Sequence, residues 1–70
     1  MTATGTIIYN NIGMGFYGLR TDDGRQFQIM ELAPAFAIDG LRVQVQLKTL
    51  DIETLEMWGT PAQILNIERI

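Results

Sequence analysis

Seventy residues, 47% of them hydrophobic, make one small domain whose core lies below the size at which packing alone leaves a comfortable margin. The chain has neither cysteine nor histidine, which removes disulfides, thiolate nucleophiles, imidazole bases and the usual zinc ligands together. Five basic residues (Arg20, Arg25, Arg42, Lys48 and Arg69) against eight acidic ones give a net charge of −3 and a pI near 4.5, a balance that opposes non-specific attraction to phosphate backbones and anionic membranes. The opening Met1-Thr2-Ala3-Thr4-Gly5 has no basic region ahead of an apolar run, and no segment approaches the roughly 18 apolar residues of a membrane span. The expectation is a soluble chain of the cytoplasm.

In chain order, Thr4 to Asn10 carries the β-branched run Thr6, Ile7, Ile8 and reads as a first strand, with Gly5 placed to allow a bend or bulge. Asn10-Asn11-Ile12-Gly13 supplies turn formers that accept positive φ. A second strand follows over Gly15–Thr21, in which Phe16, Tyr17 and Leu19 are the side chains worth burying. Asp22-Asp23-Gly24 is the strongest short-range hairpin signal, because Asp and Gly tolerate the left-handed backbone of tight turns. The third strand, Arg25–Met30, alternates Phe27 and Ile29 with Gln26 and Gln28.

Pro34 and Gly40 bracket a short helical connector, since proline suits a first helical turn and glycine the position past a last one. Leu32, Phe36 and Ile38 are its candidates for plugging one end of the strands. The clearest pattern in the chain comes next: Leu41, Val43, Val45 and Leu47 alternate with Arg42, Gln44, Gln46 and Lys48, as in a half-buried strand. Residues 51–61 read as a loop or irregular hairpin arm. Ala62–Ile70 is a fifth strand, whose apolar Ile64, Leu65, Ile67 and Ile70 break strict alternation. A bulge near Leu65 or Asn66 reconciles them, as does partial burial on both faces.

Three strands, a short helix and two more strands is the order of elements in a small five-stranded oligonucleotide/oligosaccharide-binding (OB) barrel, an all-β fold with a minor helical part. An SH3-like barrel is the competing architecture, but it has no counterpart to the helical connector. Several strings taken together, Gly15-Phe16-Tyr17-Gly18-Leu19, Asp22-Asp23-Gly24, Phe36 followed by Asp39-Gly40-Leu41-Arg42-Val43, and Met57-Trp58-Gly59, resemble a family of small microbial domains with an OB-like barrel. The resemblance runs from about Gly5 to Ile67 and departs from the family pattern at Leu32-Ala33-Pro34. It implies a single barrel over residues 1–70 and brings no activity with it.

Few motifs carry chemistry. Gly13-Met14-Gly15-Phe16-Tyr17-Gly18 spells G-x-G-x-x-G, yet it precedes a strand and not a helix, so the glycines read as turn and strand-curvature positions. Phe16, Tyr17, Arg20 and Arg25 lie on the strands where OB barrels stack bases or sugars, and they form the candidate ligand or partner face together with Trp58. Trp58 is expected either to cap the barrel or to anchor a partner. Asp51, Glu53 and Glu56 lack the spacing of a calcium loop and read as a solvated acidic loop. Asp22 and Asp23, adjacent in a turn, are expected to shape it rather than to serve acid/base chemistry.

No cofactor, metal or catalytic group is therefore expected. The preferred reading is a non-catalytic interaction module that pairs with itself or with a protein partner, through an exposed edge strand or the loop around Trp58. The alternative is a single-stranded oligonucleotide- or saccharide-binding module using the second and third strands.

Overall fold

Val43, Val45 and Leu47 are almost wholly withdrawn from solvent while Arg42, Gln44, Gln46 and Lys48 are exposed, so the period-two pattern marks the wall of a closed interior. The structure is a computed structural model that describes residues 1–53 and 58–70. Five strands, β1 (Thr2–Asn10), β2 (Phe16–Thr21), β3 (Gln26–Met30), β4 (Arg42–Thr49) and β5 (Thr60–Arg69), close into a barrel in the order β1-β2-β3-β5-β4. Four seams are antiparallel, and β3 meets β5 in parallel, Phe27 beside Thr60 through Met30 beside Gln63.

β1 serves both sides of the barrel. Thr2–Thr6 pairs with Gln46–Arg42 of β4, and Gly5–Asn10 pairs with Thr21–Phe16 of β2. At Gly5 both neighbours are engaged at once, and a Cβ there would lie 2.3 Å from the Arg20 carbonyl oxygen. Glycine is thus required by close backbone approach at the place where the strand coils.

Every strand sends apolar side chains inward: Ala3 and Ile7, Leu19, Phe27 and Ile29, Val43, Val45 and Leu47, and Ala62. Each large one contributes roughly 1.5–3 kcal/mol by leaving water. Leu32 and Phe36 pack half-buried against this core, as expected of an end plug, whereas Ile38 is 46% exposed and takes no comparable part.

The helical connector is a correction. Only one 3₁₀ turn forms, Pro34–Phe36, and the backbone leaves helical geometry at Ala37, well short of Gly40. Ala33 at its start has no side chain to cap the free N–H groups, and a three-residue turn does not overcome the cost of helix nucleation. Gly40 instead takes φ 90° in the turn that leads into β4.

The broken alternation of β5 has the expected cause. Gln46 pairs with Asn66 and Leu47 with Ile64, so Leu65 is the extra residue of a bulge. The Asp22-Asp23-Gly24 turn also forms: Thr21 N–H donates to the Arg25 carbonyl at 2.8 Å, and Gly24 takes φ 92°.

Candidate functional site

Strand alternation decides which aromatics can act together. Leu19 and Thr21 are buried and Tyr17 packs on the core, so Phe16, Gly18 and Arg20 share the outer face of β2. Trp58, arriving from the segment before β5, lies against that outer face. Its ring meets Phe16 edge-on at 5.7 Å and 64°, and its six-membered ring covers Gly18. A Cβ at position 18 would sit 2.2 Å from Trp58 Cζ3, so the missing side chain is what seats the indole. Trp58 therefore does not cap the barrel end; it lies half-buried on the side of the barrel.

The candidate face splits accordingly. Phe16 and Trp58 come together, with the exposed Arg20 on the same face. Tyr17 belongs to the other side of the ribbon, where its ring stands 5.1 Å from that of Tyr9. Arg25 is separate again: its guanidinium lies 5.7 Å from the centre of the buried Phe27 ring and is held by a carboxylate.

Two bidentate ion pairs organise the β2–β3 hairpin. Arg25 donates Nε to Asp23 Oδ1 at 3.0 Å and places Nη2 2.8 Å from Oδ2. Arg42 donates from Nη1 and Nη2 to the two oxygens of Asp22 at 2.6 and 2.7 Å, and from Nη1 to Thr6 Oγ1 at 3.0 Å. These bonds favour the ionised carboxylates. Donation from Arg25, then from the Thr21 hydroxyl, lowers the Asp23 pKa from 3.8 to about 2, and donation from Arg42 lowers that of Asp22. The adjacent aspartates are thus ion-pair partners that pin a turn, and the guanidinium groups of Arg25 and Arg42 are engaged by carboxylates.

One surface was not singled out from the sequence. The β1–β2 loop carries Met14, 99% exposed, and Ile12, 45% exposed, beside the half-exposed Tyr9. The loop is held in place: Gly15 N–H donates to the Ile12 carbonyl at 2.9 Å, Tyr9 N–H to Asp39 Oδ1 at 2.8 Å, and the Tyr9 hydroxyl lies over Gly15. Ile38, next to Asp39, adds a further exposed apolar side chain. The available signal was two apolar residues set between turn formers, where nothing nearby needs them for the core.

A shallow polar groove of about 200 Å³ runs over the outer face of β1, β4 and β5 between Thr2, Gln44, Gln46, Asn66 and Glu68. Among the described residues no group of three acidic side chains gathers as a ligand set for a metal; Asp51 and Glu53 are exposed, and Glu56 lies outside the described residues. No described helix is long and apolar enough to cross a membrane. Compared with known proteins, the chain matches no family model, no curated protein and no solved structure.

Proposed function

We propose that the chain is a non-catalytic interaction module built on an OB-type barrel, and that it docks a protein partner through the apolar end formed by Tyr9, Ile12 and Met14. The OB assignment is supported by the strand order, by a first strand shared between two neighbours and by the parallel β3–β5 seam. The docking assignment rests on Met14, a large apolar side chain left fully in water on a loop whose turn is closed by the hydrogen bond from Gly15 N–H to the Ile12 carbonyl. A lone exposed methionine means little, but Ile12 and Met14 exposed on one short loop, with the half-exposed Tyr9 just ahead of it, are the form a docking surface takes.

The Phe16–Trp58 pair is the observation that favours oligonucleotide or saccharide binding in its place. Against that reading, the indole is already packed on Gly18 and edge-on to Phe16, and two of the other arginines, Arg25 and Arg42, are matched to carboxylates. A phosphate track needs several cations on one path. Arg20 is the one arginine placed on the aromatic face itself.

The test compares the wild-type chain with Met14→Asp as immobilised baits, alongside a titration with mixed single-stranded DNA at low salt. The docking reading expects saturable retention of a protein by the wild type, loss of it in the variant, and unchanged tryptophan fluorescence with DNA. Retention indifferent to Met14→Asp removes the assigned docking end, and fluorescence quenching by DNA puts the aromatic face first.

A further inference from the structure

β5 has an unfinished side. β3 pairs with it only through Thr60–Gln63, whereas β4 follows it on the other side from Ala62 to Arg69. Beyond Gln63, among the described residues, no strand lies on the β3 side. Backbone groups of a strand point alternately to its two sides, so about half of those in Ile64–Arg69 face away from β4. The corresponding loose end of β1 is treated differently. Ile7 N–H donates to the Leu41 carbonyl at 2.8 Å, Gly40 N–H donates to the Ile7 carbonyl at 2.7 Å, and Tyr9 N–H is held by Asp39, so the chain covers that edge with its own connector.

The flanking side chains are those of an adhesive edge. Leu65, displaced by the bulge, is 56% exposed, and Ile70 is 64% exposed. Neither lysine nor proline, the usual residues that blunt an edge, occurs between Ile64 and Ile70. The blunting devices present are the bulge and the charged side chains of Glu68 and Arg69, which are of opposite sign, and Leu65–Arg69 is the length on offer.

We infer that this open edge pairs antiparallel with the same edge of a second copy, about a two-fold axis through Ile67. The inference rests on the interaction-module reading and names the partner of a different surface. A two-fold axis normal to a sheet keeps each side chain on its own face, so only registers that pair residues of like parity are allowed. Centred on Ile67, the register sets Ile67 against itself, Asn66 against the partner's Glu68 and Leu65 against the partner's Arg69. Each carboxylate then faces an amide donor. Centred one residue later, Glu68 would face its own copy at a cost. Glu68 and Arg69 also cancel, so the edge is neutral in a chain of net charge −3, and two copies approach most easily there.

Size sets the strength. A standard interface takes about 800 Å² from each partner, roughly a sixth of the 4467 Å² this chain exposes, and a five-residue edge with two apolar flanks covers less. The dimer is therefore weak, with a dissociation constant on the order of 100 μM.

Sedimentation equilibrium from about 10 μM to about 1 mM spans that range. The expected result is an average mass that rises toward twice the monomer's, with slowed hydrogen exchange of alternate amides in Asn66–Arg69 at the high end. In the double variant Leu65→Lys/Ile70→Lys the rise disappears while circular dichroism is retained. Those substitutions bring the net charge from −3 to −1 and weaken general repulsion, so lost association reports the contact itself. A monomer at every concentration overturns the inference, as does a dimer that survives the double variant. A dimer lost in Met14→Asp instead also overturns it, while leaving the docking end standing. Partner retention unaffected by Met14→Asp bears only on the docking end and leaves the β5 pairing in place.

Discussion

The Trp58 indole rests on Gly18, with Cζ3 where a side chain at 18 would begin. Forty residues of chain separate the two, and the contact fastens the segment ahead of β5 to the outer wall of β2. Gly18→Ala should lift the ring, because the nearest atoms belong to a half-exposed side chain that can move. The expected cost is near the lower end of the roughly 1–3 kcal/mol typical of overpacking, with a red-shifted tryptophan emission. Emission and urea midpoint both equal to wild type would show that the ring does not depend on this seat.

Gly5 should be far less forgiving. The atom in the way is the Arg20 carbonyl oxygen at 2.3 Å, backbone that pairs on both sides and cannot step aside. Gly5→Ala is expected to cost about 3 kcal/mol or more, the upper end for overpacking. Gly24→Ala meets nothing within 4 Å and has only its φ of +92° to contend with, a penalty of about 1–2 kcal/mol. Urea denaturation of the two variants side by side checks the ranking, and equal losses would refute it.

Leu19 has no exposed surface and lies between Ile7 and Phe27 in register. Leu19→Ala should cost about 2–5 kcal/mol, against a total stability of roughly 4–10 kcal/mol for a domain of this length. The variant is expected to lose about half of that margin, seen by circular dichroism as a correspondingly lower urea midpoint. Leu65→Ala, at the exposed bulge, should change stability by less than about 0.5 kcal/mol.

The hairpin ion pairs give a pH dependence of definite sign. The Asp23 carboxylate has a folded pKa of about 2 against an ordinary 3.8, so its contribution is complete above 3.8 and disappears as the pH falls through about 2. Both partners are substantially exposed, so the effect is small and weakened by salt. An NMR titration of the side-chain carboxyl carbons should place Asp23 at about 2, and Arg25→Gln should return it toward 3.8. A midpoint unmoved by Arg25→Gln would remove Arg25 as the cause.

Strand positions were legible wherever one face is buried. Val43, Val45 and Leu47 declare themselves by alternation, as do Phe27 and Ile29, and the interrupted pattern of Ile64, Leu65 and Ile67 announces the bulge. Pro34 and Gly40 misled because they bracket a helix only if the residues between them can nucleate one; Ala33 supplies no cap and the chain turns after Phe36. Tyr17 and Phe16 read as one aromatic face, but neighbours along a strand point to opposite sides. The seat of Trp58 on Gly18 and the parallel meeting of β3 with β5 were out of reach, since both depend on how distant segments meet and leave no local pattern. The open edge of β5 was invisible for the same reason.

The order of strands around the wall also governs how the molecule comes together in time. Two of its five seams, β1 with β4 and β3 with β5, join segments that are not consecutive in the chain. The meander β1–β2–β3 and the arm β4–β5 each form locally, but neither encloses an interior until they meet. The search for that meeting precedes its reward, and such barrels refold over milliseconds to seconds, where helical bundles of similar size need microseconds to milliseconds. Until the last seam zips, the nascent apolar surfaces of both pieces stand open to any other chain nearby.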